Sequence, residues 1–260
     1  MTLLSDNDRL PPASTIATIG MFDGVHLGHD TLLTALAHEA RQRGLKALVV
    51  TFDRHPRAVV TPDPTPPLLQ TLTQRLHTLR QRTDIDYLLV LPFTARLAAL
   101  TAADIIGRLA RCYGLAALMM GYNHRLGHDR ATFNRLAHQP PNGIRLVKAP
   151  EYLGPYAPVS STIIRSLLAA GRVADAMHSM QRPFELCGTV VAGFHNGTHL
   201  SVEVNIFDFD QDIYGQPIAL RFIGFLRLEF KMGSVDDLRR QLTLDRQRAR
   251  HILTDYQPLR

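Results

Sequence analysis

What most constrains the fold of this chain is a rhythm in its first two thirds, where short apolar runs recur with helix-patterned stretches between them. Residues 14–20 (STIATIG), 45–52 (LKALVVTF), 86–93 with their YLLVL run, 115–121 (LAALMMG) and 143–149 read as buried strands. Residues 28–43, 73–82 and 101–113 carry helical patterns between them, and a Pro-rich loop runs to residue 67. Strands apolar along their whole length are covered on both faces, and parallel neighbours need crossover helices to supply that cover. The expectation is an α/β fold, a Rossmann-like doubly wound parallel sheet.

The rhythm breaks at Arg182-Pro183. Residues 185–193, 200–209 and 217–227 then read as strands, with turn signals at Asn196-Gly197 and Tyr214-Gly215. Residues 234–253 read as one helix, capped by Ser234 and carrying Asp236-Asp237 in its first turn. Two domains are therefore expected, residues 1–183 and residues 184–260, the second a smaller β-rich unit ending in a helix.

Composition narrows the function classes. With 45% hydrophobic and 20% charged residues the chain is neither disordered nor fibrous. No apolar run reaches the roughly 18 residues of a membrane span, and the start, Met-Thr-Leu-Leu-Ser-Asp, turns polar too early for a secretory signal. Two cysteines, Cys112 and Cys187, argue against a disulfide framework, so a cytoplasmic location is expected. The net charge is +6, carried by 26 Arg and 3 Lys that form no block. No nucleic-acid motif accompanies the charge, and guanidinium forks suit small phosphorylated ligands equally well. Small-molecule partners are expected, with no nucleic acid and no membrane.

The first strand-to-helix turn runs Gly20-Met21-Phe22-Asp23-Gly24-Val25-His26-Leu27-Gly28-His29. It is neither a G-x-G-x-x-G fingerprint nor a P-loop. It sets two histidines around a glycine at a helix mouth, beyond the carboxyl end of a strand, where doubly wound folds bind ligands. Free N–H groups and the helix dipole favour an anion there, and His26 and His29 can donate hydrogen bonds to a phosphate as charge builds on it. A second cluster, Ser160, Ser161 and Thr162 with Arg165 one turn on, pairs capping hydroxyls with a guanidinium and also suits an anion. The plainer readings are surface histidines on a turn and an ordinary capped helix. His26, His29, His124 and His128 have spacings that permit metal coordination, yet no neighbouring Cys or Glu completes a ligand set, so no protein-borne metal site is expected.

The loop resembles the H-x-G-H nucleotidyltransferase superfamily. In its F-D-G-V-H-x-G-H form it resembles the FMN adenylyltransferase module of the bacterial bifunctional riboflavin kinase/FAD synthetase family. Three further stretches are similar to that family's motifs: Thr51-Phe52-Asp53-Arg54-His55-Pro56-Arg57, Gly121-Tyr122-Asn123-His124-Arg125-Leu126-Gly127, and Val159-Ser160-Ser161-Thr162-Ile163-Ile164-Arg165. His124 and Leu126 depart from the family's usual aromatics. The resemblance implies transfer of AMP from ATP to FMN, giving FAD and pyrophosphate, with Mg²⁺ sharing the charge. It implies catalytic roles for His26, His29 and Arg165. ATP and its phosphates would meet Gly20, Phe22, Asp23, Gly24, Gly28, Ser160, Ser161 and Thr162, and the flavin would meet Phe52, His55, Pro56, Arg57 and Asn123.

The second unit resembles the family's riboflavin kinase module in pieces: 188–193, Val202-Glu203-Val204, 212–215 and Arg227-Leu228-Glu229. The family's G-[FY]-P-T-A-N phosphate segment has no counterpart, because Gly193 runs straight into Phe194-His195-Asn196-Gly197-Thr198. The resemblance thus implies an incomplete β-barrel, Glu203 as a vestigial kinase base and lost kinase activity. Two other readings stay open, a non-catalytic flavin- or nucleotide-binding remnant and an H-x-G-H adenylyltransferase for another phosphorylated acceptor such as nicotinamide mononucleotide or phosphopantetheine. Exposed strand edges in the shortened unit leave a homo-oligomer open as well.

Overall fold

Six strands of the first unit lie side by side in the order β1-β4-β3-β2-β5-β6, every neighbouring pair parallel. They are β1 (Thr2–Leu4), β2 (Thr15–Ile19), β3 (Lys46–Phe52), β4 (Tyr87–Leu91), β5 (Leu115–Met120) and β6 (Arg145–Lys148). The helices between and after them are α1 (Leu27–Gln42), α2 (Arg57–Val60), α3 (Leu72–Arg80), α4 (Ala95–Ala98), α5 (Ala102–Tyr113), α6 (Phe133–His138), α7 (Ser161–Ala169) and α8 (Val173–Met180). The computed structural model describes residues 1–121, 123–192, 202–228 and 230–257, and the chain divides into units Met1–Gln181 and Arg182–Arg260.

Alternation along the strands sorts the core into two layers. Ile16, Ala47, Val49, Leu88, Ala117 and Met119 face a cluster with Leu33, Leu36 and Ala37 of α1 and Leu79 of α3. Ala17, Leu48, Val50, Leu89, Leu118 and Met120 face the other, with Ile106, Leu109 and Tyr113 of α5. Both faces are thus dry, which is why these strands carry continuous apolar runs. Two helices start on reciprocal caps, Thr71 with Gln74 before α3 and Thr101 with Asp104 before α5, so their first N–H groups are satisfied locally.

The expected doubly wound sheet is present, with strand ends trimmed by a residue or two. The sequence reading missed β1. Its three residues precede any helical crossover and carry too little pattern to register, yet they pair with Tyr87, Leu88 and Leu89 at the sheet edge.

The second unit contains β7 (Phe184–Thr189) and β8 (Pro217–Phe222), paired antiparallel, and α9 (Val235–Asp255), whose N-cap Ser234 accepts the Asp237 N–H at 3.1 Å. The strand expected at 200–209 is corrected. Residues 200 and 201 lie outside the described set, and residues 202–209 form no strand. Val202, Val204 and Ile206 alternate as a strand would, but all three are exposed, so the alternation has no buried face to serve. Phe207 lies under the guanidinium groups of Arg246 and Arg250 on α9, and Asp208 pairs with both arginines. Glu203 is exposed on this irregular stretch. The Asn196-Gly197 turn and Glu229 lie outside the described residues, and the expected β-rich unit is, among the described residues, one two-stranded sheet.

Candidate active site

Strand order reverses between β2 and β5, the point at which a doubly wound sheet opens a crevice beyond its carboxyl ends. A cavity of about 400 Å³ lies there, lined from the loops after β2, β3, β5 and β6 and from the start of α7. Asp23, His26, Gly28, His29, His55, Asn123, Ser160, Ser161, Thr162 and Arg165 all contribute to its wall. The two clusters singled out in the sequence, some 130 residues apart, therefore face one space.

His26 is the N-cap of α1. Its Nδ1 accepts the backbone N–H of His29 at 3.3 Å, which assigns the proton of the neutral ring to Nε2. The two imidazoles stack, centroids 3.7 Å apart and planes 18° from parallel. Gly28 leaves room beside the pair, since a Cβ there would stand a tight 3.3 Å from the His26 ring. The fully buried Phe22 ring backs His29 at 5.1 Å.

Asp23, 3% exposed, has both carboxylate oxygens engaged. Its Oδ1 accepts N–H groups from Leu69 (2.9 Å) and Gln70 (3.2 Å), and its Oδ2 accepts from Arg165 Nη1 at 2.9 Å. The Ser161 hydroxyl donates to the Asp23 carbonyl at 2.8 Å. Next to it, Gly24 holds φ +81°, an angle that calls for glycine, and a Cβ there would press on the Leu69 side chain at 2.7 Å. Ser160 caps α7, its Oγ accepting the Ile163 N–H at 3.2 Å.

His55 turns its Nδ1 to the Arg57 N–H at 3.1 Å, and burial holds its pKa below the usual histidine value. Arg75 has no exposed surface. Its guanidinium donates to the Phe52 carbonyl and lies 3.7 Å from Met21 Sδ, bracing the ends of β3 and β2, while burial lowers its pKa.

Several residues expected at the site lie elsewhere. Phe22 is a core side chain rather than a wall of the cavity, because its φ of +52° turns the ring inward against the position of a Gly20 Cβ. Gly20 and Gly24 shape the loop without lining the space. Phe52 packs edge-on against Phe93 at 5.0 Å on the far face of the sheet. Pro56 starts the single turn of α2, which carries Arg57 out to solvent. Tyr122 lies outside the described residues, and Leu126 is buried, bridged to Ala131. Sequence reasoning missed Leu32, Glu151, Tyr152 and Arg75. The signal available for Glu151 and Tyr152 was their position just past the carboxyl end of a strand. Among the described residues no group of three or more His, Cys, Asp or Glu is placed to hold a metal ion, and no helix is long and apolar enough to cross a membrane.

An all-parallel sheet that opens at its switch point onto an H-x-G-H helix mouth defines a Rossmann-like nucleotidyltransferase core. More particularly, residues 9–163 match the FAD synthetase family model, and the chain belongs to that family. Residues 194–253 match the riboflavin kinase model. The bifunctional riboflavin kinase/FMN adenylyltransferase of Escherichia coli K12 is 26% identical over 294 residues, spanning 93% of this chain and 94% of the relative. Its namesake in Pseudomonas fluorescens is 35% identical over 181 residues, 68% of this chain and 58% of that one. A solved chain from Streptococcus pneumoniae, described as a macrolide-efflux protein, superposes with TM-score 0.78 at 23% identity, over 95% of this chain and 98% of its own. That last likeness speaks to fold alone.

Proposed function

We propose that the chain makes FAD from FMN and ATP. A phosphate oxygen of FMN attacks the α-phosphorus of ATP, the bond from that phosphorus to the β-bridging oxygen breaks, and pyrophosphate leaves. No protein nucleophile is needed, so the chain's task is positioning and charge neutralisation. His29 and the Nε2–H of His26 donate to the phosphoryl oxygens as negative charge shifts onto them. The N-termini of α1 and α7, with Arg165, hold the departing pyrophosphate. The observation that carries this reading is the single cavity shared by the histidine pair and the Ser160–Arg165 turn.

The cavity is lined by imidazoles, hydroxyls, a guanidinium, the Asn123 amide and two carboxylates, of which Asp23 is already engaged and Glu151, among the described residues, has no second acidic partner grouped with it to hold a metal. Such a set does not fit a Mg²⁺ cage of the chain's own, and the ion enters with ATP as substrate. Support for an incomplete kinase comes from the missing G-[FY]-P-T-A-N segment and from the single two-stranded sheet among the described residues of the second unit. A closed barrel requires strands around its full circumference. The chain accordingly does not phosphorylate riboflavin.

Chromatographic assay of purified protein with Mg²⁺ and ATP tests both parts. FMN should yield FAD and pyrophosphate, and riboflavin should yield no FMN. FAD missing from the first reaction would overturn the main reading, and FMN in the second would overturn the loss of kinase activity.

A further inference from the structure

A buried carboxylate beside a site for phosphates is electrostatically adverse, since it repels the ligand the site exists to bind. At Asp23 that charge is fully engaged: two backbone N–H groups hold Oδ1, and Arg165 Nη1 holds Oδ2. The side chains of this ion pair are 4% and 20% exposed, so water screens it little. The residue also works through its backbone, because Ser161 Oγ–H donates to its carbonyl. One residue thereby ties three segments that are distant in sequence: the histidine loop, the Leu69–Gln70 stretch and the first turn of α7. Of the guanidinium donors of Arg165, Nη1 serves Asp23 and the Pro67 carbonyl at 3.5 Å, which leaves Nη2 and Nε for an incoming anion.

We propose that Asp23 is a positioning residue for adenylyl transfer. It fixes the orientation of Arg165 and the docking of α7 on the histidine loop, and it touches no nucleotide itself. This role differs from the expectation that Asp23 meets ATP directly, and it rests on the reading of the site as an adenylyltransferase cleft. A residue that acts through another loses its effect when that other is removed.

The test is a cycle of Asp23→Asn, Arg165→Met and the double variant in the full chain. Asparagine keeps an oxygen for the Leu69 and Gln70 N–H groups, while it removes the charge and puts an NH2 donor in place of the oxygen that accepts from Arg165. Asp23→Asn should lower kcat/KM for FAD formation by about 30-fold in the wild-type background and less than about twofold beside Arg165→Met. The double variant should also melt above Arg165→Met alone, which leaves a buried charge without its partner. Equal losses in both backgrounds, or a rise in KM for ATP that persists without Arg165, would overturn the proposal. Should Asp23→Asn fail to fold, Ser161→Ala removes the second tether, and its loss of activity must likewise vanish beside Arg165→Met; persistence there overturns the proposal too. Calorimetric titration of the same variants with MgATP alone runs the cycle without turnover. A wild type that makes no FAD would thus sink the reading of the reaction while still deciding the role of Asp23.

Discussion

The two units of this chain are built on different physics. Among the described residues, every buried hydrophobic side chain lies between Leu4 and Met180. The first unit has a sheet dry on both faces and two packed layers. The second has one pair of strands and a 21-residue helix, α9, with no buried residue. Leu238, Leu242, Leu244 and Leu253 on that helix are all at least 40% exposed. A two-stranded sheet alone is marginal in water, and what is visible in the second unit is mainly polar: Arg227 with Asp245, and Asp208 with Arg246 and Arg250. A family match can therefore cover a segment whose described residues bury little apolar surface.

The sharpest way to break this contrast is chemical. His29→Ala should lower FAD formation about 10²–10³-fold with little change in melting, as loss of one charge-stabilising donor does. Glu203→Gln should leave the rate within about twofold, and a comparable loss there would make the second unit part of the reaction. Next in size is packing. Leu48→Ala, at a fully buried position, should cost about 3 kcal/mol in chemical denaturation, while Leu242→Ala should stay within about 0.5 kcal/mol. Similar costs at the two sites would mean that α9 is covered in solution.

Acid should discriminate as well. Burial pulls the His124 imidazole down to about 4. The unfolded chain, titrating near 6.5, therefore binds a proton that the folded chain refuses, so stability is intact above pH 6.5 and lost as pH falls towards 4. For this partly exposed ring we expect a loss of about 2 kcal/mol across that window, absent in His124→Phe, by thermal melting at a series of pH values. Smallest is Arg227→Ala, at about 1 kcal/mol by urea midpoint, against no measurable effect of Arg239→Ala, whose pairing with Asp236 is wholly at the surface.

The architecture was legible because parallel strands buried on both sides cannot hide: the runs at Leu48–Val50 and Leu115–Met120 admit few other readings. The site was legible where local rules apply, in the helix caps at His26 and Ser160 and in the placement of loops at carboxyl ends. What was not legible depends on angles and on partners distant in sequence. Nothing local to F-D-G announces that Phe22 turns inward at positive φ or that Asp23 will meet Arg165 142 positions later. Arg75 carries no local signal in the sequence, and its burial against Met21 and the Phe52 carbonyl depends on partners distant in the chain. The 202–209 stretch misled because alternation signals a strand only where a sheet exists to receive it.

The short edge strand β1 has a practical corollary. All six strands of its sheet run the same way, so Thr2 lies at the rim opposite the one carrying His26, His29 and Arg165. A label or surface tether carried at Thr2 would therefore stand away from the cleft and leave its entrance unobstructed in binding work.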